Sequence, residues 1–166
     1  MSSDFKNSGL EDRVIKIRRC AAVVKGGRRF SFNALVVVGD KRGQVGWGYG
    51  KANEVPPAVE KAVKDAQRSL NKVSLKDNTI PHRVIGEFGG TKVVLIPAGP
   101  GTGVKAGPGV REVLELAGVR NILTKVHGSC NSANLVKATI QGLRTLRTRE
   151  QVEQLRGVKL SAAAAK

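Results

Sequence analysis

The sequence has few aromatic residues, few cysteines and no long apolar run. One Trp, one Tyr and four Phe among 166 residues mean that a hydrophobic core must consist mainly of Val, Leu, Ile and Ala. Cys20 and Cys130 cannot provide a disulfide framework or a four-ligand zinc site, which indicates a reducing compartment. The longest apolar runs, residues 20–24 and 34–38, are far shorter than the roughly 20 residues of a membrane-spanning helix. Residues 1–6 are polar and lack the apolar segment of a signal peptide.

Acidic residues are also scarce, so the charge is one-sided. Lysine and arginine total 29 against 13 acidic residues, which gives a formal net charge of +16 and a pI near 10.6. A hydrophobic fraction of 40% separates the chain from disordered basic tails. Residues 1–76 carry 16 bases and 7 acids (+9), and residues 77–166 carry 13 and 6 (+7). This balance is typical of proteins that bind nucleic acid, and a basic enzyme is the alternative.

The first part of the chain predicts three strands. In the last of them Val, Trp and Tyr alternate with glycine, so one face would allow close approach of another backbone. A Gly-Asp-Lys-Arg-Gly turn precedes this strand. Period-2 alternation and β-branched residues place the strands at residues 15–18, at 30–33 continuing into 35–38, and at 45–50.

A helix is expected next. Apolar residues recur at helical spacing over residues 55–70, and Asn53 is the expected N-cap. Pro56 and Pro57 fit only in the first turn, where missing N–H groups cost little. A polar segment follows, and we place a domain boundary in it, before Asp77.

The second part predicts a mixture of strands and helices. Its helix signals include Pro108 near a start, Gly118 just past an end and the capping-box pattern Thr148-x-x-Gln151. The expected order is strands at 83–88 and 91–96, a Gly/Pro-rich loop at 97–109, a helix, a strand at 119–126, a helix capped by Asn131 or Ser132, and a short final helix.

A dense group of bases lies in residues 13–29, which contain no acid. On a strand–loop–strand hairpin these bases would form a positive surface with a mobile, glycine-containing tip. Arginine can bind two phosphate oxygens at once, and glycine lets the main chain approach, so the pattern predicts phosphate contacts rather than sequence readout. A solvated basic face is the alternative. The bases are Arg13, Lys16, Arg18, Arg19, Lys25, Arg28 and Arg29.

The glycine-rich segment 99–106 imitates cofactor motifs without completing one. Residues 101–106 fit the dinucleotide fingerprint, but no acidic residue about 20 positions later could bind a ribose. Gly50-Lys51 is followed by Ala52 rather than Ser or Thr, so a Walker-type phosphate loop is also missing. We therefore expect no nucleotide cofactor, and we favour a rigid loop that packs or contacts a partner.

The remaining chemical motifs are incomplete. Residues 86–89 (GEFG) have the spacing of a phosphate-clamping loop, but a glutamate at its tip favours a simple turn. His127-x-x-Cys130 is half of a metal site without a second pair. Glu112 and Glu115 share a helix face, and no catalytic base accompanies them. The sequence thus predicts neither a metal nor an enzyme active site.

Long, irregular strings resemble those of the family of bacterial small-subunit ribosomal protein five. The resemblance extends from about Arg13 to Gly157. In the first part it is carried by residues 24–32 (VKGGRRFSF), 34–40 (ALVVVGD), 45–52 (VGWGYGKA) and 54–56 (EVP). In the second part it is carried by residues 80–82 (IPH), 101–103 (GTG), 113–119 (VLELAGV) and 137–139 (KAT).

The resemblance implies an α+β fold and a structural role. It predicts an N-terminal βββα domain like a double-stranded-RNA-binding domain and a C-terminal βαβ-type two-layer domain. It further implies binding of small-subunit rRNA, assembly, and translational accuracy near the point where mRNA enters the subunit, in a cytoplasmic ribosome. We divide the chain into a flexible N-terminus, these two domains and a flexible tail at residues 1–12, 13–76, 77–157 and 158–166.

The resemblance also assigns binding residues. The loop at residues 24–29 would reach rRNA in the neck region, where the family influences spectinomycin sensitivity, and ribosomal proteins four and eight would be neighbours. Lys105 stands where the family usually has an aliphatic residue. The rRNA-binding residues would be the seven bases above with Gly26, Gly27 and Lys51. The interface with protein four would contain Gly101, Thr102, Gly103, Lys105 and Arg111.

Two other functions remain open at this point. One is a free RNA chaperone or regulator that acts outside the ribosome. The other is a small-molecule kinase, because the second domain implied by the resemblance is similar to kinases with a glycine-rich phosphate loop. Val104-Lys105 occupies the place where such a kinase needs a pair of serines, which argues against this hypothesis. ATP turnover by the purified protein would support it.

Overall fold

The computed structural model describes residues 9–158. The predicted flexible segments 1–12 and 158–166 therefore lie mostly outside the described residues, and the first strand already begins at Glu11. The elements of the first part are β1 (Glu11–Val24), β2 (Gly27–Gly39), β3 (Gln44–Ala52), α1 (Val55–Arg68) and β4 (Asn71–Lys72). They form sheet 1, an antiparallel sheet in the order β1-β2-β3-β4, with α1 on one face. The predicted βββα unit is confirmed, with β4 added at its edge.

The centre of sheet 1 is buried on both faces, which explains the unbroken apolar run in β2. Ala34, Val36 and Val38 pack with α1 on one side. Leu35 and Val37 point the other way and join a second cluster with residues of the C-terminal part. A strand covered on both sides needs apolar residues at every position rather than at alternate ones.

The glycine face of β3 holds α1 close to sheet 1, as the alternation predicts. A Cβ atom on Gly48 would lie 2.0 Å from the Ala62 carbonyl oxygen, and one on Gly50 would lie 2.0 Å from the Ala58 oxygen. Gly46 faces Ala66 in the same way. The small residues on both elements let the helix backbone rest directly on the strand.

The predicted N-cap of α1 is wrong by one residue. Helix α1 begins at Val55 after Glu54, and no side chain caps it. An N-cap side chain accepts a hydrogen bond from the second or third helical N–H group. Pro56 and Pro57 occupy those two positions and have no N–H group, so a capping side chain has no donor to bind.

The second part forms sheet 2 with two helices on one face. Its elements are β5 (Val84–Phe88), β6 (Thr91–Pro97), β7 (Val104–Lys105), α2 (Pro108–Ala117), β8 (Ile122–Gly128), α3 (Ser132–Arg144) and α4 (Arg149–Arg156). The strand order is β5-β6-β8-β7, with β7 parallel to β8 and the other pairs antiparallel. The crossover β7-α2-β8 is the βαβ unit, and the α+β class is confirmed. No helix within residues 9–158 is long and apolar enough to span a membrane.

Two predicted boundaries in this part shift for local reasons. The predicted loop at 97–109 contains β7. The strand expected from residue 119 begins only at Ile122, because the backbone N–H groups of Arg120 and Asn121 both bind the Asn78 carbonyl oxygen. The predicted capping box of α4 is present, with Thr148 and Gln151 each binding the other's backbone N–H.

Helix α2 joins the two sheets into one core. Its buried residues Val113, Leu114 and Leu116 belong to the cluster that also contains Val37 and Leu95. The turn between β2 and β3 binds the end of this helix: the Lys41 and Gly43 N–H groups donate to the Leu116 and Ala117 carbonyl oxygens at 2.9 and 3.0 Å. Each sheet therefore completes its core with the same helix.

Candidate nucleic-acid interface

The β1–β2 hairpin extends well beyond the rest of sheet 1. β3 pairs with β2 only from Phe32 to Gly39, so the hairpin from Cys20 to Ser31 is a two-stranded ribbon. Lys25 and Gly26 form its two-residue turn, with Gly27 at φ +130°, a conformation that favours glycine. Every residue from Ala21 to Phe30 is exposed.

The hairpin bases do not share one surface. Directly paired residues point to the same face of a sheet, and the register pairs Ala22 with Arg29 and Val23 with Arg28. Arg29 therefore lies on the α2 side of sheet 1 and Arg28 on the α1 side. By the same alternation Lys16 and Arg18 accompany Arg29, Arg19 accompanies Arg28, and Lys25 occupies the tip.

On the α2 side, three strands combine into one basic row. Arg18 pairs with Asn33, and Asn33 pairs with Lys51 on β3, so the two cations flank Asn33 across about 10 Å of sheet. The neighbouring row places Lys16 beside Leu35 and Tyr49. The phenol of Tyr49 is 48% exposed, which adds an aromatic face among the bases.

Tyr49 is the residue that sequence reasoning missed. The alternation at 45–50 places Tyr49 on the same face as Val45 and Trp47, and it does not indicate which residues of other strands lie beside it. Only the register shows that Lys16 and Lys51 lie nearby while Val45 is buried. The backbone N–H of Tyr49 donates to Asp65 Oδ2 at 3.1 Å, which anchors its strand to α1.

On the α1 side, Arg19 stacks on an aromatic ring. Its guanidinium carbon lies 4.3 Å from the centre of the Phe30 ring, a cation–π contact between diagonal neighbours on β1 and β2. The ring holds the guanidinium in place, and both side chains are largely exposed. The arginine fork therefore has a defined position from which its N–H groups can donate to a phosphate.

Arg13 has a different partner from the other six bases. Its Nη1 donates to Oε2 of Glu112 at 2.5 Å and to Oε2 of Glu115 at 2.6 Å. These two hydrogen bonds raise the pKa of the Arg13 guanidinium above its ordinary value, and the bond to Glu112 has the larger effect. Arg13 thus connects β1 to α2, and its charge is already neutralised by two carboxylates.

The glycine-rich loop between β6 and α2, which we call the partner loop, is ordered by hydrogen bonds. The Gly103 N–H donates to Asn121 Oδ1 at 3.1 Å, and its carbonyl accepts from the Ile122 N–H at 3.1 Å. Gly101 and Gly103 adopt positive φ angles of 86° and 72°, with open space where a Cβ would be. Thr102 lies between them, and Lys105 and Arg111 are exposed on β7 and at the start of α2.

Two family models match the chain. The model "Ribosomal protein S5, N-terminal domain" covers residues 10–74, and the model "Ribosomal protein S5, C-terminal domain" covers residues 86–156. Together they span most of the 166 residues. The chain belongs to the ribosomal protein S5 family.

Three relatives of the S5 family agree over nearly the whole chain. A protein named small ribosomal subunit protein uS5 from Rhodopirellula baltica is 62% identical, covering 91% of this chain and 85% of its own length. Proteins of the same name from Rubrobacter xylanophilus and Syntrophobacter fumaroxidans are 56% and 57% identical. They cover 92% and 89% of this chain, and 76% and 89% of their own lengths.

The S5 family consists of structural components of the ribosome, not enzymes, and the incomplete motifs agree with that. Gly86 of the GEFG string lies in β5 and packs against α3, where a Cβ would be 2.0 Å from the Ala138 oxygen. Residues 86–88 are therefore part of a strand, and the turn is formed by Gly89-Gly90. Within residues 9–158, no three His, Cys, Asp or Glu side chains are grouped to bind a metal. Cys130 is exposed and has no second ligand pair beside it.

Proposed function

We propose that this chain is a structural constituent of the small ribosomal subunit that binds small-subunit rRNA through the β1–β2 hairpin. The observation that carries the proposal is the projecting ribbon itself, which presents cations on both faces and at its tip. A double-sided basic ribbon fits a groove or junction between RNA helices better than a flat RNA surface, because phosphates can contact both faces.

The proposed rRNA-binding set is the one that the family resemblance implies, changed at two residues. Arg13 is left out of it, because Glu112 and Glu115 already use its donors. Tyr49 is added, since an exposed aromatic ring among cations can stack on an unpaired base. The proposed set is Lys16, Arg18, Arg19, Lys25, Gly26, Gly27, Arg28, Arg29, Tyr49 and Lys51.

The loop between β6 and α2 would contact a protein neighbour. Gly101 and Gly103 have open space at their Cβ positions, and Gly103 is fixed by hydrogen bonds to Asn121 and Ile122, so the loop offers a rigid, uncluttered backbone surface. The family resemblance assigns Gly101, Thr102, Gly103, Lys105 and Arg111 to contact with ribosomal protein four. Ribosomal protein eight is the second proposed neighbour.

These contacts would give the chain its wider roles. A protein that holds rRNA through its N-terminal part and another protein through its C-terminal part would help assembly and would stiffen the region where mRNA enters the subunit. Translational accuracy and spectinomycin sensitivity would then depend on the hairpin tip and the partner loop. The proposed location is the ribosome of the bacterial cytoplasm.

Sedimentation of a cell lysate at low magnesium tests the proposal. The chain is followed across a sucrose gradient by quantitative mass spectrometry. We expect it with the small subunit, at about one copy for each particle, after a moderate salt wash. A pool that stays near the top of the gradient would contradict the proposal and would favour the free RNA chaperone.

A further inference from the structure

The face of sheet 2 opposite α2 and α3 is largely exposed, and Val94 is its one buried residue among residues 9–158. Residues Val104, Thr124 and Val126 alternate toward the helices, so their neighbours along β7 and β8 point outward. The same alternation holds on β5 and β6. We call this surface the outer face of sheet 2; it consists of Ile85, Glu87, Lys92, Val94, Ile96, Lys105, Leu123, Lys125 and His127.

The centre of the outer face is apolar. Ile85 pairs with Val94, and Ile96 pairs with Leu123, so three exposed aliphatic side chains on three strands surround Val94, which is itself only 9% exposed. Ile85, Leu123 and Ile96 are 48%, 39% and 36% exposed. A contiguous exposed apolar patch that is bordered by polar residues is a common mark of an interaction surface.

The border of the outer face is mainly basic. Lys92, Lys105 and Lys125 surround the patch, and Glu87 is the one carboxylate on this face of the described chain. Its Oε1 lies 3.0 Å from the Lys92 ammonium nitrogen. The complementary surface therefore has an apolar centre and acidic side chains at its edge.

The chemistry of this surface favours a protein over RNA. An RNA surface presents phosphates and sugars, and these offer no counterpart to three adjacent exposed aliphatic side chains. The only ring on the outer face of the described chain is the His127 imidazole, at the edge beside Lys92, whereas the larger rings of Tyr49 and Phe30 lie among the hairpin bases. The two exposed surfaces of the molecule thus suit two different partners.

We propose that the outer face of sheet 2 is a docking surface for a protein with an apolar, acid-bordered face. The inference rests on the proposed function, in which this partner is a neighbour in the small subunit. Lys105 extends the surface to the partner loop, because it pairs with Leu123 on β8 and lies on the same face. Loop and outer face then form one continuous protein contact.

Photocrosslinking in intact subunits tests this proposal. A benzophenone amino acid replaces Leu123 in the full chain expressed in cells, and a second variant carries it at Val23 in the hairpin. After irradiation, small subunits are isolated and the crosslinked molecules identified. We expect position 123 to crosslink to a protein and position 23 to crosslink to rRNA.

The alternative outcomes separate the two proposals. If position 23 crosslinks to rRNA but position 123 crosslinks to rRNA or to nothing, the docking surface is refuted and the proposed function stands. If the unmodified chain does not sediment with the small subunit at all, the proposed function fails and the docking proposal fails with it.

A binding series measures the contribution of the surface. Fluorescently labelled chains are titrated onto small-subunit particles that lack this protein. We expect Leu123→Asp and Lys125→Glu to weaken binding about tenfold or more, and Lys64→Glu, on the exposed side of α1, to stay within about twofold. Equal affinities for all three variants, with melting temperatures unchanged, would overturn the proposal.

Discussion

Single glycines set the distance between α1 and sheet 1. Gly46, Gly48 and Gly50 occupy one face of β3, and Ala58, Ala62 and Ala66 lie opposite them on the helix. Neither side has room for a larger group. The glycines of the partner loop are required by backbone conformation and not by close packing, since Gly101 and Gly103 have open space at their Cβ positions but positive φ angles.

Gly48→Ala should destabilise the protein strongly. The new Cβ would lie 2.0 Å from the Ala62 oxygen and 2.4 Å from the Ala66 nitrogen, so the helix must move away from the strand. We expect a loss of about 2–4 kcal/mol in the free energy of unfolding, measured with urea.

Gly99→Ala is the matched control for this substitution. Gly99 has open space at its Cβ position and an ordinary φ angle, so the same added methyl group should change stability by less than about 0.5 kcal/mol. Equal losses for the two variants would show that close packing on β3 is not the cause.

At the scale of elements, the hairpin is the feature whose outline the sequence predicted and whose faces it could not. Alternation at 15–18 and 30–33 gave two strands and a basic loop. The strands are longer than predicted: β1 extends to Val24 and β2 begins at Gly27. The prediction missed these residues because exposed ribbon positions carry no hydrophobic pattern. Which bases share a face depends on register, and a bulge between Val14 and Lys16 shifts that register.

Replacing Arg28 and Arg29 by Ala should weaken rRNA binding in a salt-dependent way. Each lost phosphate contact removes counterion release, so the slope of log K against log salt should flatten by about one unit for each contact. Filter binding of the purified chain to small-subunit rRNA at several salt concentrations measures this slope.

The control for this experiment removes two bases elsewhere. Lys64 and Arg68 are exposed on α1, outside the hairpin, and their replacement by Ala removes the same formal charge. A slope that flattens equally in both double variants would mean that net charge, and not the hairpin, determines binding. An unchanged slope in the hairpin variant would mean that Arg28 and Arg29 do not face phosphate.

The partner loop shows a second limit of sequence reasoning. Glycines and prolines at 97–109 predicted a loop, and most of it is one. The strand β7 within it has only two residues, too few for any periodic signal, and it forms because β8 offers an unpaired edge. Lys105 lies on the outer face of sheet 2 because β7 pairs with β8, and no local sequence pattern predicts that pairing.

At the scale of the whole molecule, the two parts of the chain share one core. The polar segment before Asp77 predicted a boundary, and the division at 76 and 77 stays a prediction. The sequence could not indicate that Glu112 and Glu115 pair with Arg13, because 99 and 102 residues separate them. Nor could it tell that Leu35 and Val37 pack against residues of the other part.

Unfolding should therefore be a single transition. Leu95 is fully buried on β6 in sheet 2, and Leu95→Ala should cost about 2–5 kcal/mol. The single Trp, Trp47, lies in sheet 1, and the Lys137 ammonium nitrogen of α3 lies 4.6 Å from the centre of its ring, so its fluorescence reports on sheet 1 and on the contact with the other part. We expect its urea midpoint to fall together with the midpoint of the far-ultraviolet circular dichroism.

Independent domains would give a different result. The circular dichroism would then show two transitions, and Leu95→Ala would lower the midpoint of only one of them. That outcome would mean that the shared cluster contributes little to stability.

The shared helix has a consequence for synthesis on the ribosome. Sheet 1 is complete in sequence at Lys72, but α2, which covers its second face, ends at Ala117. At about 5–20 residues per second, translation of the intervening segment takes several seconds. During that time Leu35, Val37 and Val45 are unprotected on the nascent chain, so each new copy of this protein passes through a stage at which a chaperone that binds aliphatic surface has a target.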